Sequence, residues 1–322
     1  MHSNQPSLPQ SKHFSLKQIA VGIFAAFSSR GGGAVSNAGI IDLGDRTLIF
    51  DTFETPIAAE DLRVASEELT GLHPTWVINS HAHPDHWFGN QVFPDETIII
   101  TTQKTRNFML EFIEEVDQEK ADPSELENYL ESQKERLTKE PDPRALAVIE
   151  SSVARWGYYL ESLPDLQLRL PNQTFDGNIV FHGSQRTVEL NDVGPAHTGG
   201  DCYLTIPSVK IAFLGDLGFF QEQPYMPDSD PICWLSIIEK LGESPIDIFI
   251  PGHGPMGTKK DLDMMGVYIR MLEKMVTEAI SQGESVDYVL NQQLPEPFRT
   301  WSIGGIRLED NIRFLFDYLS RN

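Results

Sequence analysis

Three histidines and an aspartate fall within six consecutive positions of this chain, in the stretch Ser80–His86. This stretch, here called the cradle, follows an apolar run at 76–78 that is typical of a buried strand. Alternate residues of an extended segment point the same way, so His81 and His83 can share one cation while Asp85 and His86 turn toward a second. Because the chain has only nine histidines, this clustering indicates a site for two metal ions more than a solvated polar loop.

Four ligands do not complete two metal sites, and three further candidates occur later in the chain. His197, Asp216 and His253 each lie just past the carboxyl end of a strand-like run. Open α/β architectures place their ligands in the loops at one end of the strands. The repeated placement therefore predicts that these three side chains join the cradle.

The order of these segments resembles the metallo-β-lactamase superfamily of binuclear metallohydrolases. The motif His-x-His-x-Asp-His is followed by a lone histidine, an aspartate after an apolar strand and Gly-His-Gly, and the resemblance extends from about Ile19 to His253. It implies an α/β fold, a four-layer αβ/βα sandwich of the metallo-β-lactamase type with an inserted helical segment. It also implies that Asp51, after the run Leu48–Phe50, supports the ligands from behind, although a turn-forming role suits this aspartate equally.

Matched position by position, the resemblance implies a ligand set and a nucleophile. The ligands of one ion would be His81, His83 and His197, those of the other Asp85, His86 and His253, and Asp216 would bridge them. Two adjacent dications bring the pKa of a shared water to about 7, which makes hydroxide available as the nucleophile, and Asp85 would be the catalytic residue that orients it. Zinc, two ions per chain, is the predicted cofactor, and iron or manganese accepts the same ligands.

The implied activity is hydrolysis of a small ester-, thioester-, lactone- or lactam-like substrate. A glyoxalase II-like thioesterase is an alternative, but that group has a histidine at the position of Asp201. A β-lactamase, a phosphodiesterase and a non-catalytic metal-binding protein are further alternatives. The last of these is disfavoured because all seven implied ligands are present. Members that use di-iron and flavin have a glutamate at the position of His83, so redox chemistry is not implied.

Charge and composition bear on partners and compartment. The formal net charge of -22 repels phosphate backbones and disfavours nucleic acid as a partner. Two cysteines do not make a disulfide framework. The apolar run at 19–27 is too short for a membrane span and leads into predicted strands, which disfavours a signal peptide. We therefore predict a cytoplasmic protein with a small-molecule substrate and without nucleic-acid or membrane partners. The sequence leaves its oligomeric state open.

Domain organisation follows from where strand signals stop and resume. Residues 1–14 are predicted to be a flexible N-terminal tail, and residues 15–322 one catalytic domain. At about 103–164 helical spacing replaces strand signals, and prolines divide this segment, here called the insertion, into about three helices. The sequence does not decide between a surface or dimerisation element and a lid over the metals. Strand signals resume at 166–170.

Overall fold

The protein is described from a computed structural model that covers residues 7–141, 143–301 and 306–321. The chain divides into two compact units, Met1–Glu189 and Leu190–Asn322. Helices and two β-sheets make up the described residues, which confirms the predicted α/β class. The single catalytic domain predicted for residues 15–322 stays a prediction.

The first sheet has seven strands in chain order. The strands are antiparallel up to the fourth and parallel from the fourth to the seventh. Neighbouring parallel strands end at the same edge, so the residues that follow the fourth and fifth strands emerge side by side. The strands are β1 (Phe14–Ala20), β2 (Ile23–Ser28), β3 (Ala38–Asp42), β4 (Thr47–Phe50), β5 (Pro74–Ile78), β6 (Ile98–Thr102) and β7 (Gln173–Phe175).

Helix α1 (Pro56–Thr70) joins β4 to β5 and is capped at both ends. The Thr55 side chain accepts a hydrogen bond from the Ala58 amide, and Gly71 adopts φ 72° at the C-terminus. Both caps are readable in the sequence, because a hydroxyl before proline starts a helix and glycine tolerates a left-handed end. The buried face of α1 packs in the core of the first sheet.

The N-terminal segment is ordered before residue 15. Residues 1–6 of the predicted tail lie outside the described residues. Ser11 donates a hydrogen bond to Asp61, and His13 and Phe14 are buried. The side chain of Phe14 packs in the core of the first sheet, so ordered structure begins several residues earlier than the sequence predicts.

The described residues of the insertion form four helices, whereas the sequence predicts about three. Proline breaks account for two of the three divisions, but no proline marks the break at Leu110. There the backbone amide bonds to the carbonyls of Asn107 and Phe108, which tightens the turn and interrupts the α-helical pattern. The helices are α2 (Gln103–Met109), α3 (Glu111–Ala121), α4 (Ser124–Lys139) and α5 (Pro143–Ser162).

The segment 166–170, predicted to be a strand, pairs with no strand in the part of the chain that the structure describes. The amide of Gln167 donates to the Gln91 side chain, and the carbonyl of Arg169 accepts from Asn90. Side chains therefore satisfy the backbone groups that a neighbouring strand would otherwise bind. The alternating leucines that produced the prediction pack against the core of the insertion instead.

Within the described residues, the second sheet has five strands in chain order, and the last two of them are parallel. A large apolar core in the second unit contains Trp234 and Tyr268. Within the described ranges, no helix combines the length and apolarity needed to cross a membrane. The strands are β8 (Asn178–His182), β9 (Thr187–Gly194), β10 (Asp201–Ile206), β11 (Ile211–Phe213) and β12 (Ile248–Ile250), and the helices α6 (Pro231–Glu243), α7 (Lys259–Ser281), α8 (Val286–Leu290) and α9 (Ile306–Arg321).

Candidate metal centre

The cradle leaves the sheet edge directly after β5 and includes one short helical turn, Pro84–His86. The donor atoms of His81 and His83 lie within 4.8 Å of each other. Nε2 of His86 lies 3.6 Å from Oδ2 of Asp85. His81 and His83 therefore lie together, and the helical turn brings Asp85 and His86 together as a second pair.

Asp51 lies beneath the cradle, fully buried, at the end of the neighbouring strand β4. Its Oδ1 accepts a hydrogen bond of 2.7 Å from the Ser80 amide, and its Oδ2 accepts one of 2.9 Å from the Ser80 hydroxyl. Oδ2 also lies 2.8 Å from Nδ1 of His86, and Nδ1 of His81 lies 2.9 Å from the Ser80 hydroxyl. With both Nδ1 atoms engaged, Nε2 is the nitrogen of each imidazole that could hold an ion.

The backbone at Asp51 is unusual for a residue other than glycine. Its φ is 63°, a left-handed conformation that aspartate and asparagine tolerate better than most residues. The amide of Thr52 donates to the carbonyl of His86, which ties this turn to the cradle. Asp51 is therefore both a turn residue and a hydrogen-bond partner of His86 and Ser80, so the two sequence interpretations are compatible.

The electrostatics of Asp51 follow from its burial. Burial raises the pKa of Asp51, whereas the His86 ring and the hydrogen bonds from Ser80 lower it. A buried carboxylate is stable only when such partners or cations offset its desolvation. The network around Asp51 provides part of that compensation.

Polar side chains also hold the main chain of the cradle. Asn79 donates to the carbonyl of His86 at 3.1 Å, and Asn79 and Asn90 exchange two hydrogen bonds. The Ser36 hydroxyl donates to the carbonyl of Asp85. Because these groups are buried, their hydrogen bonds hold the backbone of the cradle in one conformation.

In the second unit, Asp216 lies between two histidines. Its Oδ2 is 3.3 Å from Nε2 of His197 and 3.4 Å from Nε2 of His253. All three side chains are buried. One carboxylate oxygen that faces two imidazole nitrogens has the placement expected of a bridging ligand.

Glycine is required beside Asp216. A Cβ at Gly252 would lie 1.9 Å from Oδ1 of Asp216 and 2.8 Å from the backbone of Gly215. The Gly252 amide also donates to the carbonyl of Gly215 at 2.6 Å. The loop after β12 therefore approaches Asp216 as closely as backbone can, which places His253 at its side.

Asp201 closes the loop that carries His197. One of its carboxylate oxygens accepts hydrogen bonds from the amides of Ala196 and Thr198, and the other accepts from the Thr198 hydroxyl. This role of Asp201 was not predicted from the sequence. The spacing Thr198-x-x-Asp201 is a local signal that could have indicated it, because such side chains bind nearby backbone in turns.

Aromatic rings fix the orientation of the imidazoles in this unit. The Phe219 ring stacks on His253 with centroids 5.0 Å apart, and Trp234 packs edge-on against His197 at 5.1 Å. Phe219 and Trp234 are fully buried. They restrict the rotation of the two rings and exclude water from one side of the site.

The seven predicted ligands fit divalent metal chemistry. Each belongs to a group of histidine and aspartate side chains whose donor atoms lie within 4.8 Å of one another, close enough to hold an ion. Imidazole with carboxylate suits zinc, and also iron and manganese. The clustering of buried acidic groups favours a bound cation, which would offset their desolvation.

A partly buried ion pair near the cradle was not predicted from the sequence. Arg155 of the insertion binds Glu54, a residue whose side chain is 4% exposed and which follows Asp51 by three positions. The partners are 101 positions apart, and no local pattern connects them. The pair depends on how the insertion packs.

The sequence model of the metallo-beta-lactamase superfamily matches residues 31–253. The chain belongs to this superfamily. The match spans the cradle, His197, Asp216 and His253, and it confirms the predicted fold type. None of the curated proteins compared with the chain matches it.

Solved structures of superfamily members share the fold at low sequence identity. A metallo-beta-lactamase from Pontibacter korlensis aligns with TM-score 0.54 and 16% identity over 80% of this chain and 99% of that one. The metallo-beta-lactamase FIM-1 from Pseudomonas aeruginosa, in its mono-zinc form, aligns with TM-score 0.55 and 14% identity over 82% of this chain and 98% of that one. The sec-alkylsulfatase Pisa1 from Pseudomonas sp. aligns with TM-score 0.64 and 14% identity over 95% of this chain and 50% of that one. At these identities the likeness concerns the fold alone.

Proposed function

We propose that this protein is a metal-dependent hydrolase with a binuclear centre, occupied by zinc. The observation that carries the proposal is that all seven predicted ligands belong to groups of donor atoms within 4.8 Å of one another, in a chain of this superfamily. In the proposed assignment, one ion is held by His81, His83 and His197, the other by Asp85, His86 and His253, and Asp216 is shared.

The residues of the chain would have different roles in such a site. When bound, the ions would lower the pKa of water, so that hydroxide is available as the nucleophile, and would polarise the carbonyl oxygen of the substrate. Asp85 accepts a hydrogen bond from the attacking water and so directs its lone pair toward the substrate. Asp51 and Ser80 hold His81 and His86 in fixed orientation, so the ligands need no rearrangement during the reaction.

Metal analysis and one substitution test the proposal. Purified protein should contain close to two equivalents of zinc per chain, measured by inductively coupled plasma mass spectrometry. His83→Ala should lose bound metal and hydrolytic activity, whereas His73→Ala, at a side chain that is 70% exposed, should retain both. Full activity of His83→Ala would exclude this mechanism.

For the substrate, we propose a small ester-, thioester-, lactone- or lactam-like molecule. A glyoxalase II-like thioesterase and a β-lactamase fall within this range. Phosphodiester hydrolysis is disfavoured by the net charge of -22, which repels polyanionic substrates.

Sulfate-ester hydrolysis is a second candidate, and the extent of the structural match favours it. The sec-alkylsulfatase structure aligns with 95% of this chain, and the two β-lactamases with 80% and 82%. Assays with nitrocefin, acyl thioesters, lactones, bis(4-nitrophenyl) phosphate and aryl and alkyl sulfates separate the candidates. A zinc-loaded protein that cleaves none of them would refute the substrate classes while leaving the metal centre standing.

A further inference from the structure

The insertion and the cradle share one hydrophobic core in the first unit. Ala82 of the cradle and Trp87, which follows it, are buried together with Val116 of α3 and Tyr159 of α5. The Trp87 indole donates to the carbonyl of Ala82 at 2.9 Å. The insertion therefore packs against the residues that support the cradle, and removing it would expose them. In this sense it forms a fixed wall beside the cradle.

From this wall, Arg155 reaches the segment that supports the ligands. Its Nε lies 3.1 and 3.0 Å from the two carboxylate oxygens of Glu54, and its Nη2 donates to the first of them. The Glu54 amide in turn donates to the carbonyl of Ala34, two residues before the Ser36 that holds Asp85. A bidentate pair with a buried carboxylate fixes the plane of the guanidinium.

Glu54 occupies only one edge of the Arg155 guanidinium. Arginine has five N–H donors, and the bonds to Glu54 use Nε and Nη2. Among the residues that the structure describes, none bonds to Nη1, and 38% of the side chain is exposed. The second edge can therefore receive another oxyanion while Glu54 holds the first.

The surroundings of Arg155 suit an organic anion. Burial opposes its charge, but the carboxylates of Glu54 and Asp85 raise the pKa of the guanidinium, so it stays charged beside the cradle. The ring of Trp156 lies 5.2 Å from Cζ of Arg155, and the partly exposed Tyr129 packs edge-on against that ring. The rings provide apolar surface beside the cation, against which the carbon skeleton of an organic anion can pack.

We propose that Arg155 binds an anionic group of the substrate, such as a carboxylate, through Nη1 while hydrolysis proceeds at the cradle. The inference rests on the proposed function and narrows its substrate class to organic anions. It also gives the insertion a role in specificity, as a fixed wall that carries a recognition residue.

Two esters that differ only in charge test the proposal. Mono-4-nitrophenyl glutarate and 4-nitrophenyl pentanoate release the same leaving group from acyl chains of equal length, and one of them carries a carboxylate. Glu54→Gln, which retains Arg155, is compared with Glu54→Gln/Arg155→Met, which leaves no buried carboxylate unpaired. The double variant should lose about 10- to 100-fold in kcat/KM for the glutarate ester and less than about twofold for the pentanoate ester.

Arg136→Met is the matched control, because Arg136 is an exposed arginine of the same insertion, and it should leave both esters unaffected. Thermal unfolding and zinc content are measured for each variant to confirm folding and metal loading. Equal losses for the two esters, or no loss for either, would overturn the inference while the proposed function stands.

A binding measurement decides the inference without turnover. If zinc-loaded wild-type protein cleaves neither ester, the proposed ester substrates are refuted. Isothermal titration calorimetry with glutarate and with its neutral diamide then tests the role of Arg155 by binding alone. Glutarate should then bind Glu54→Gln at least about 10-fold more tightly than the double variant. Equal affinity for the two proteins would refute the role of Arg155.

Discussion

At the scale of single residues, the candidate site depends on side chains that bind no ion themselves. Asp51 and Asp201 are the clearest cases, since each organises the backbone or ring of a proposed ligand. Such hydrogen bonds order the ligands before a metal binds, so less of the binding free energy is lost in ordering them. Substitutions at these positions should change the metal affinity of the site while all the proposed ligands stay in the chain.

Asp51→Asn should lower zinc affinity by about 10- to 100-fold. Asparagine tolerates φ 63° at this position, so the change removes the charge and the acceptor for His86 without straining the turn. Competition with a chromophoric chelator measures the affinity. Asp176→Asn, at an exposed aspartate, is the control, and an unchanged affinity in Asp51→Asn would show that the carboxylate does not support the ligands.

Gly252→Ala should destabilise the protein by about 1–3 kcal/mol and displace Asp216. The added Cβ would lie 1.9 Å from Oδ1 of Asp216. The backbone of Gly215, also within 3 Å of this Cβ, prevents the Cβ from moving aside. Urea denaturation and zinc content measure the two effects. Gly242→Ala in α6, where the nearest atom lies 3.8 Å away, should be neutral or stabilising by up to about 1 kcal/mol.

At the scale of elements, the insertion combines a hydrophobic core with buried polar groups. The Tyr159 hydroxyl of α5 donates to Glu119 of α3. Burial raises the pKa of Glu119; the Tyr159 hydrogen bond opposes this rise, and neighbouring Glu115 and Glu125 add to it. The insertion therefore contains a carboxyl group whose ionisation costs more in the folded than in the unfolded chain.

Glu119→Gln should stabilise the protein more at pH 8 than at pH 5. A carboxyl with a raised folded-state pKa binds its proton more tightly when folded, so wild-type stability falls as pH rises from the usual glutamate pKa through the raised one. Glutamine accepts the Tyr159 hydrogen bond without this cost. Urea denaturation at the two pH values measures the difference, and Glu114→Gln, at an exposed position of α3, should show none. Equal stabilisation at both pH values would contradict the assigned cause.

At the scale of the whole molecule, the proposed ligands come from positions between 81 and 253. An unfolded chain does not bring such distant donors together, so zinc should bind the folded state selectively. At a free zinc concentration about 100-fold above Kd, each site should add about 2.7 kcal/mol to the free energy of unfolding.

Thermal unfolding at a series of free zinc concentrations tests this linkage. The midpoint should rise with zinc, fall after treatment with a chelator and recover when zinc is restored. His253→Ala should reduce the dependence, whereas His73→Ala should leave it intact. A midpoint that does not respond to zinc would contradict selective binding to the folded chain.

Several features were predictable because their signals lie within a few residues. The caps of α1 at Thr55 and Gly71, the strand before the cradle and the donor pairs within it follow from side-chain to backbone bonds and from the two-residue period of extended chain. The break at Leu110 was not predictable, because no proline or glycine marks it. Prolines flank the segment 166–170, but the contacts with Gln91 and Asn90 that hold it in place of a neighbouring strand join residues more than 70 positions apart in the described part of the chain.

By itself, the sequence determined the superfamily, the α/β class and the identities of the proposed ligands, since these depend on residue types at fixed short spacings. Only the tertiary structure decided that Asp51 supports His81 and His86, that the insertion is a wall beside the cradle, and that Arg155 pairs with Glu54. The reason is energetic. A buried carboxylate such as Glu54 is stable only beside a charge that packing brings to it from 101 positions away, and no local pattern encodes that distance.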